Sequence, residues 1–321
     1  MTAPGVPAYR GMRFIAGGTT LMGAERFYPE EAPVRPVAVD GFWIDETPVT
    51  NAHFSAFVDA TGYRTVAELP LDPAAYPGVE LHLLKSGSLS FVLPGARDGG
   101  DRTRPTPGWQ YVIGADWRHP AGPGSDIYGL DEHPVVHVAY ADALAYAAWA
   151  GKELPTEAEW EFAARGGLEG KDYAWGDTLL PDGQYLANFW QGEFPFENLA
   201  LDGYAGTSPV RSYPANGYGL FDIIGNVWEW TADWYADPSR STASCPNCIP
   251  RNLRGASEQE SLVPGGTGGR IGRKVIKGGS HLCSPSYCQR YRPAARQPQS
   301  IDTSTSHIGF RCVLRSMHPA S

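Results

Sequence analysis

Two closely spaced cysteines are the residues of this chain best suited to chemistry. Cys283 and Cys288 are separated by Ser-Pro-Ser-Tyr, and a turn at these residues would bring both thiols to one site. Positive charge lowers the pKa of a thiol below its usual value of about 8.5. Four cationic residues lie nearby in the sequence: Lys277, Arg290, Arg292 and Arg296. Two thiolates without histidine or carboxylate partners favour Cu(I), whereas structural zinc requires four ligands. A local disulfide or two buried thiols would explain the same spacing.

The other three cysteines carry weaker signals. Cys245 and Cys248 form a Cys-x-x-Cys unit inside a polar segment that contains no second unit, so we expect a surface disulfide or incidental spacing. Cys312 lies in an apolar segment, as is typical of an inert core thiol. An odd and low cysteine count is a poor disulfide framework for a chain of 321 residues, and close cysteine pairs in a reducing cytosol are more often metal-binding or redox-active.

Composition limits the class of protein. Gly and Pro contribute 38 and 28 of the 321 residues, well above their usual share, which argues against a helical bundle. A hydrophobic content of 42% and 10 tryptophans are enough for a substantial core, which argues against disorder. The net charge of −9 gives no basic footprint for nucleic acid.

No apolar run approaches the roughly 18 residues of a membrane span, and residues 1–13 lack the apolar core of a secretory signal. We therefore expect a soluble cytoplasmic protein.

The elements that must position the cysteines are short. Helices are predicted over about 50–62, 140–150 and 156–165. The third is marked by a capping box, because Glu159 follows Thr156 after three residues. Strands are predicted over 12–22, 34–44, 219–224, 273–278 and 308–314.

Long loops are predicted between these elements. Residues 69–123 are predicted to form loops with aromatic anchors, and residues 239–269 a polar surface excursion. We expect one irregular α+β domain over residues 1–321, with its core at about 10–315.

Several motifs give the chain a resemblance to the formylglycine-generating enzymes, which are sulfatase-modifying factors. In segment 277–296, Gly-Gly-Ser precedes the first cysteine and Arg-Tyr-Arg follows the second. Further matches lie at 27–31, 40–45, 48–51, 154–161, 188–195, 225–230 and 309–312. The motifs at 154–161, 225–230 and 309–312 are typical of the wider superfamily, so the cysteine pair is what points to this branch. The resemblance implies a fold related to C-type lectin domains, with little regular secondary structure.

The resemblance implies a copper-dependent oxidase that acts on an unfolded sulfatase polypeptide. The cysteine of a Cys-x-Pro-x-Arg sequence would become Cα-formylglycine, with O₂ as oxidant and a thiol as reductant. Copper would be held as a linear bis-thiolate, to which the substrate thiol would be added. The implied site consists of Cys283 and Cys288 as copper ligands, Ser280 and Trp228 as further catalytic residues, and Tyr287 and Arg290 as substrate contacts. Ordinary packing and a surface charge would explain the last two equally well.

Two structural Ca²⁺ sites are also implied by the resemblance, because hard cations prefer oxygen ligands. The first would use the side chains of Asn188 and Asp202 with the carbonyls of Phe189 and Tyr204. The second would use the side chains of Asp222 and Glu229 with the carbonyls of Gly225 and Val227. Without the resemblance, Asn188 and Asp202 are ordinary turn residues.

Some positions depart from the family pattern. Ala147, Ala164 and Pro293 stand where secretory members have disulfide cysteines, which agrees with a prokaryotic, cytosolic type. His307 stands where other members have asparagine, and substrate affinity would change if this position lines the peptide groove.

Two alternative functions remain open. A non-catalytic lectin-like or peptide-binding module on the same fold would not need the cysteine pair. An iron-dependent sulfur-transferring oxygenase would need a histidine-rich site, for which 8 scattered histidines give little support.

Overall fold

The computed structural model describes residues 9–73, 78, 80, 84–92, 108–236, 248–263 and 271–315. Its strands are β1 Met12–Ile15, β2 Gly18–Met22, β3 Arg35–Val39, β4 Phe42–Asp45, β5 Gly87–Val92, β6 Gly108–Ile113, β7 Trp228–Trp234, β8 Arg273–Lys277, β9 Arg296–Ser300, β10 Ile308–Gly309 and β11 Val313–Arg315. Its helices are α1 Asn51–Thr61, α2 Tyr140–Trp149, α3 Glu157–Ala164 and α4 Glu258–Ser261. Among the described residues, none of the helices has the length and apolar character that crossing a membrane requires.

Small sheets, rather than one large sheet, organise the described residues. Four strands pair in the order β10-β7-β8-β9, with β10 parallel to β7 and the other neighbours antiparallel. A second sheet places β4 between β1 and β11. β2 pairs with β3 and β5 with β6, both antiparallel. The fold is thus an irregular α+β fold, as the sequence indicates, and it brings the chain around 308–315 back against the first strands.

The signals at the helix ends are confirmed. The Thr156 hydroxyl accepts the Glu159 N–H at 3.1 Å, and the Glu159 carboxylate accepts the Thr156 N–H at 2.7 Å. Thr50 caps α1 by accepting the N–H of His53, and Gly62 ends that helix with a φ of 67°, a left-handed conformation that favours glycine.

Helix α3 is buried along its whole length, although three of its eight residues are glutamates. Each glutamate is paired, and the carboxylate of Glu161 lies 2.9 Å from Lys277 Nζ and 2.6 Å from an Arg165 nitrogen. Burial opposes ionisation of Glu161, but the two positive charges outweigh it and lower its pKa to about 2. Removing one partner of such a buried pair costs about 3–5 kcal/mol. The pair with Lys277 fixes the end of β8 against α3, immediately before the chain reaches the candidate site.

Several predicted elements were wrong. Residues 219–224 form turns and bends, in which the backbone turns at Asp222 with a φ of 51°. Range 34–44 contains two strands separated at Asp40 and Gly41, and range 308–314 contains β10 and β11 rather than one strand. The expected loops at 69–123 include the paired strands β5 and β6, and the described part of the polar excursion contains α4. The rest of that excursion, 239–247 and 264–269, lies outside the described residues.

Strands β7 and β9 were not predicted. Strand β7 is buried on both faces over its first four residues and therefore lacks an alternating pattern.

Candidate active site

A sharp turn after β8 brings the cysteine pair together. Gly278 and Gly279 leave the strand with φ values of 95° and 74°. A Cβ atom on Gly279 would lie 2.5 Å from the carbonyl oxygen of Arg290, so only glycine lets the two backbone segments approach this closely. The Cys288 N–H then donates to the Ser284 carbonyl at 2.8 Å and closes the turn.

The two thiols are free and lie 3.2 Å apart, sulfur to sulfur. Burial raises the pKa of Cys283, whose side chain is almost fully enclosed, and its hydrogen bond with Cys288 raises it further. That hydrogen bond and the charge of Arg290 lower the pKa of Cys288 to about 6, although burial opposes ionisation. These effects favour the thiolate on Cys288 and the protonated thiol on Cys283.

Arg290 is held in place from two sides. Its guanidinium forms a salt bridge with Glu30 at 2.5 Å and lies over the ring of Tyr28, 3.9 Å from the ring centroid. The Tyr28 hydroxyl accepts the Gln289 N–H at 3.1 Å. Arg290 is therefore not a free surface charge. The 3₁₀ turn Pro29–Glu31, far away in the sequence, positions the charge that acts on Cys288.

All six expected catalytic and substrate-contact residues line a single cleft of about 320 Å³. They are Ser280, Trp228, Cys283, Cys288, Tyr287 and Arg290. This volume is within the range of ligand-binding clefts. Trp228 reaches the cleft as the first residue of β7, and the remaining five follow β8. The Ser280 hydroxyl oxygen accepts the Leu282 N–H at 3.2 Å, which leaves its own proton available to a ligand in the cleft.

One wall of the cleft is a row of aromatic side chains, and the sequence indicated only two members of it, Tyr287 and His307. Tyr287 stacks on Phe194 at 4.6 Å between ring centroids, and Phe194 stacks on Phe91 at 5.2 Å. Phe91 meets Trp109 at 5.6 Å, and Trp109 meets His307 at 4.5 Å. These residues come from five separate parts of the chain, so only the fold aligns them. Aromatic residues within glycine- and proline-rich segments were the available signal, and they were interpreted as loop anchors.

His307 lies at the end of this wall. Its Nδ1 is hydrogen-bonded to the Thr305 hydroxyl at 2.7 Å. Burial, together with the neighbouring His281 and His137, holds the pKa of His307 well below its usual value. The imidazole is therefore neutral at physiological pH, and it contributes hydrogen bonding and ring contacts to the cleft rather than positive charge.

The fold brings Asp202 of the first expected calcium ligand set against Phe189, the residue next to Asn188. The amide oxygen of Asn188 is buried and accepts no hydrogen bond. The carboxylate of Asp202 accepts the N–H groups of Phe189 and Tyr204 at 3.0 and 3.1 Å, and burial raises its pKa. The Gln191 side-chain amide donates to the carbonyl of Phe189. The unpartnered amide oxygen of Asn188 and the carboxylate that accepts the N–H of the adjacent Phe189 are both ligand types that a hard cation prefers.

The second set fits less completely. One carboxylate oxygen of Asp222 is buried without a partner, and burial raises the pKa of this group to about 6. Glu229 is already engaged, since Arg311 donates to it at 2.8–3.0 Å and the Trp160 indole N–H at 2.7 Å. A cation there would share the Glu229 oxygens with Arg311. The two expected carbonyls, at 225 and 227, lie in the turn between these side chains.

Of the remaining cysteines that the structure describes, neither Cys248 nor Cys312 lines the cleft. Cys312 is buried, and burial raises the pKa of its thiol. Cys248 is disulfide-bonded, and Cys245 lies outside the described residues. Within the described ranges, no three His, Cys, Asp or Glu side chains form a cluster that could hold a metal ion.

Most of the chain is similar to known proteins of one family. Residues 2–316 match the family model of the sulfatase-modifying factor enzyme 1-like domain. A formylglycine-generating enzyme of Mycobacterium tuberculosis is 52% identical over 93% of this chain and 96% of its own length. A mouse relative described as inactive Cα-formylglycine-generating enzyme 2 is 38% identical over 95% of this chain and 88% of its own length.

A solved structure of PvdO from Pseudomonas aeruginosa shares the fold. Its TM-score is 0.61 at 24% identity, and the match covers 95% of this chain and 94% of that one. At this identity the likeness concerns the fold alone, so the side chains in the cleft must carry any functional argument.

Proposed function

Because the chain belongs to the formylglycine-generating enzymes of the sulfatase-modifying factor family, we propose that it oxidises a cysteine of an unfolded sulfatase to Cα-formylglycine. The target cysteine lies in a Cys-x-Pro-x-Arg sequence. The supporting observation is a pair of free sulfurs 3.2 Å apart on a cleft that the four other expected site residues also line. The reaction balances when O₂ and two reductant thiols convert the cysteine to the aldehyde, with release of sulfide, water and one disulfide.

Copper is the metal that we propose for this site. Two thiol sulfurs without a histidine or carboxylate ligand are a soft donor set, and one of them is already deprotonated near neutral pH. Cys283 and Cys288 would hold the ion, and Cys283 would release its proton when the ion binds. Bound copper would supply the one-electron chemistry with O₂ that zinc lacks. A cytoplasmic location belongs to the same proposal, because three of the four described cysteines are free thiols, although the disulfide of Cys248 is uncommon in a reducing compartment.

The remaining side chains of the cleft bind and orient the substrate. The aromatic wall offers flat apolar surfaces to the proline of the motif and excludes water from the sulfurs. Ser280 directs its hydroxyl proton toward an oxygen or sulfur bound in the cleft. Arg290, fixed by Glu30, keeps the electrostatic potential at Cys288 positive. These roles follow from the chain's own contacts and do not depend on which sulfatase is the substrate.

A peptide assay tests this proposal. The reduced, copper-loaded protein is incubated with a Cys-x-Pro-x-Arg peptide, O₂ and a thiol, and the aldehyde is detected by mass spectrometry after capture with a hydrazine. We expect aldehyde with the wild type and none with Cys283→Ser or Cys288→Ser, because each substitution removes one of two sulfurs. Cys312→Ala is the matched control, since this free thiol does not line the cleft. Normal turnover in either serine variant would contradict the proposal.

A second candidate function is peptide binding without catalysis. It is favoured by one finding, the mouse relative described as inactive, which shows that membership of the family does not require activity. On this alternative, the folded wild type and both serine variants bind the peptide equally well, and none of them forms aldehyde.

A further inference from the structure

The hairpin of β5 and β6 turns most of its apolar residues toward solvent. Trp109, Tyr111 and Ile113 alternate along β6 and therefore share one face, with exposed fractions of 44%, 39% and 49%. Directly opposite on β5, Phe91 pairs with Trp109 and Leu89 pairs with Tyr111. Directly opposed residues of an antiparallel pair point to the same side. We call these five side chains the hairpin face.

The opposite side of the hairpin is largely polar, and its two serines, Ser88 and Ser90, are buried. Ser88 is 1% exposed, and its hydroxyl is hydrogen-bonded to His137 Nδ1 at 2.7 Å and to the Ser304 hydroxyl at 2.8 Å. Val112, opposite Ser88, is the buried apolar residue on that side, and Val92 at the end of β5 is half-buried. A sheet normally turns its apolar side to the core and its polar side to water. The reversed pattern is typical of a surface that binds another molecule.

The hairpin face is continuous with the candidate active site. Trp109 and Phe91 belong to the hairpin face and also line the cleft. Strand β5 is anchored to the cleft side of the molecule, because Leu89 forms a bridge with Thr305 and the Phe91 N–H donates to the Ser306 hydroxyl at 3.2 Å. From Trp109 the face extends along β6 by about 14 Å, the length of four extended residues.

We propose that the hairpin face binds apolar side chains of the substrate polypeptide that lie outside the Cys-x-Pro-x-Arg motif, while the target cysteine occupies the cleft. This inference rests on the proposed function and adds a second contact to it. An extended chain presents every second side chain to one side, which matches the spacing of Trp109, Tyr111 and Ile113. A folded protein buries such side chains, so this contact selects an unfolded segment.

Equilibrium binding tests the inference without requiring turnover. Fluorescein-labelled peptides carry serine in place of the target cysteine, and their binding to the metal-free protein is followed by fluorescence anisotropy. One peptide contains the motif alone. The others are extended by about six residues on the N-terminal or the C-terminal side, either with alternating Leu and Ser or with Gly and Ser only.

We expect at least one Leu-containing extension to lower the Kd by about tenfold, a typical gain for one or two buried apolar contacts, whereas the Gly-Ser extensions leave it unchanged. Tyr111→Ala and Ile113→Ser should each remove most of this gain without changing the Kd of the motif peptide. Tyr128→Ala is the matched control, because Tyr128 is 95% exposed and does not line the cleft. Binding of the motif peptide also reports whether each variant is folded.

The outcomes separate the two proposals. Equal Kd values for the motif peptide and all extended peptides would overturn the inference and leave the proposed function intact. A gain that persists in both hairpin variants would overturn it as well. A change from dimer to monomer in those variants, seen by analytical ultracentrifugation, would assign the face to a second copy of the chain and overturn it. If the folded protein binds none of the peptides, both proposals fail together.

Discussion

At the scale of single residues, the unequal environment of the two cysteines leads to a pH prediction. In the metal-free protein we expect the rate of alkylation of Cys288 to rise through a midpoint of about pH 6 and to level off above it, because its pKa is about 6. An ordinary thiol would show a midpoint near 8.5. Cys283→Ala should move the midpoint to higher pH by removing the hydrogen bond, and Arg290→Ala should do so by removing the positive charge. The measurement is peptide mapping by mass spectrometry after timed treatment with iodoacetamide.

A wild-type midpoint above pH 8 would contradict this account of the pair. The buried Cys312 supplies an internal control, because burial raises its pKa and it should react slowly at every pH in the folded protein.

The sequence indicated which residues meet in the cleft but not what holds them there. Cys283, Cys288 and Arg290 are close in sequence, so a local pattern was sufficient to group them. Glu30 and Phe91 act on the same site from about 260 and 190 residues away, and no local pattern connects such positions. Pairings of this kind depend on tertiary packing, which a single sequence does not encode in any short motif.

At the scale of elements, the capping box of α3 is expected to stabilise the protein measurably. Thr156→Ala removes the hydroxyl that accepts the Glu159 N–H, and a buried cap of this kind contributes about 1–2 kcal/mol to the free energy of unfolding. Ser257→Ala is the matched control, since Ser257 forms the same box at the exposed, four-residue helix α4. We expect its effect to stay below about 0.5 kcal/mol. Urea unfolding followed by tryptophan fluorescence measures both, and equal effects in the two variants would contradict the argument.

Helix ends were predicted well because their signals are chemical and local, as at Thr156 and Gly62. Strands were predicted poorly where they lack the usual alternation of buried apolar and exposed polar residues. Strand β7 has both faces buried, and β6 turns its apolar residues outward, so neither shows the pattern of a half-buried strand. The reversed pattern of β6 is itself informative, because a departure from binary patterning that the fold tolerates indicates a function for the exposed side.

At the scale of the whole molecule, long loops replace regular hydrogen-bond ladders over much of the described chain. Between α3 and β7 lie more than sixty residues with little regular structure, and both expected calcium ligand sets fall there or at the start of β7. The buried, unpartnered oxygens of Asn188 and Asp222 belong to these sets. Unsatisfied buried oxygens destabilise a fold unless a cation or a donor compensates them. We therefore infer that these loops depend on bound cations for part of their stability.

Removal of calcium is expected to lower the thermal stability of the protein. A ligand that binds the folded state alone at about 100 times its Kd contributes about 2.7 kcal/mol, so Ca²⁺ should raise the Tm of chelator-treated protein by several degrees. Mg²⁺ should raise it less, because it requires a stricter octahedral geometry. Asp202→Asn and Asp222→Asn should each reduce the Ca²⁺-dependent shift, whereas Asp177→Asn, at an exposed ion pair, should not. Differential scanning calorimetry with and without Ca²⁺ measures these shifts.

The pH dependence of the calcium effect is expected to report on Asp222 in particular. Burial raises the pKa of this carboxyl to about 6, so protons compete with Ca²⁺ for it as the pH falls through that value. The Ca²⁺-dependent rise in Tm should therefore be larger at pH 8 than at pH 5.5. In Asp222→Asn the part of the shift that depends on this carboxyl is absent, and the remaining shift should vary less over the same interval. A wild-type shift that is equal at both pH values would show that Asp222 does not bind the cation. Calcium stabilisation would then rest on the first ligand set alone.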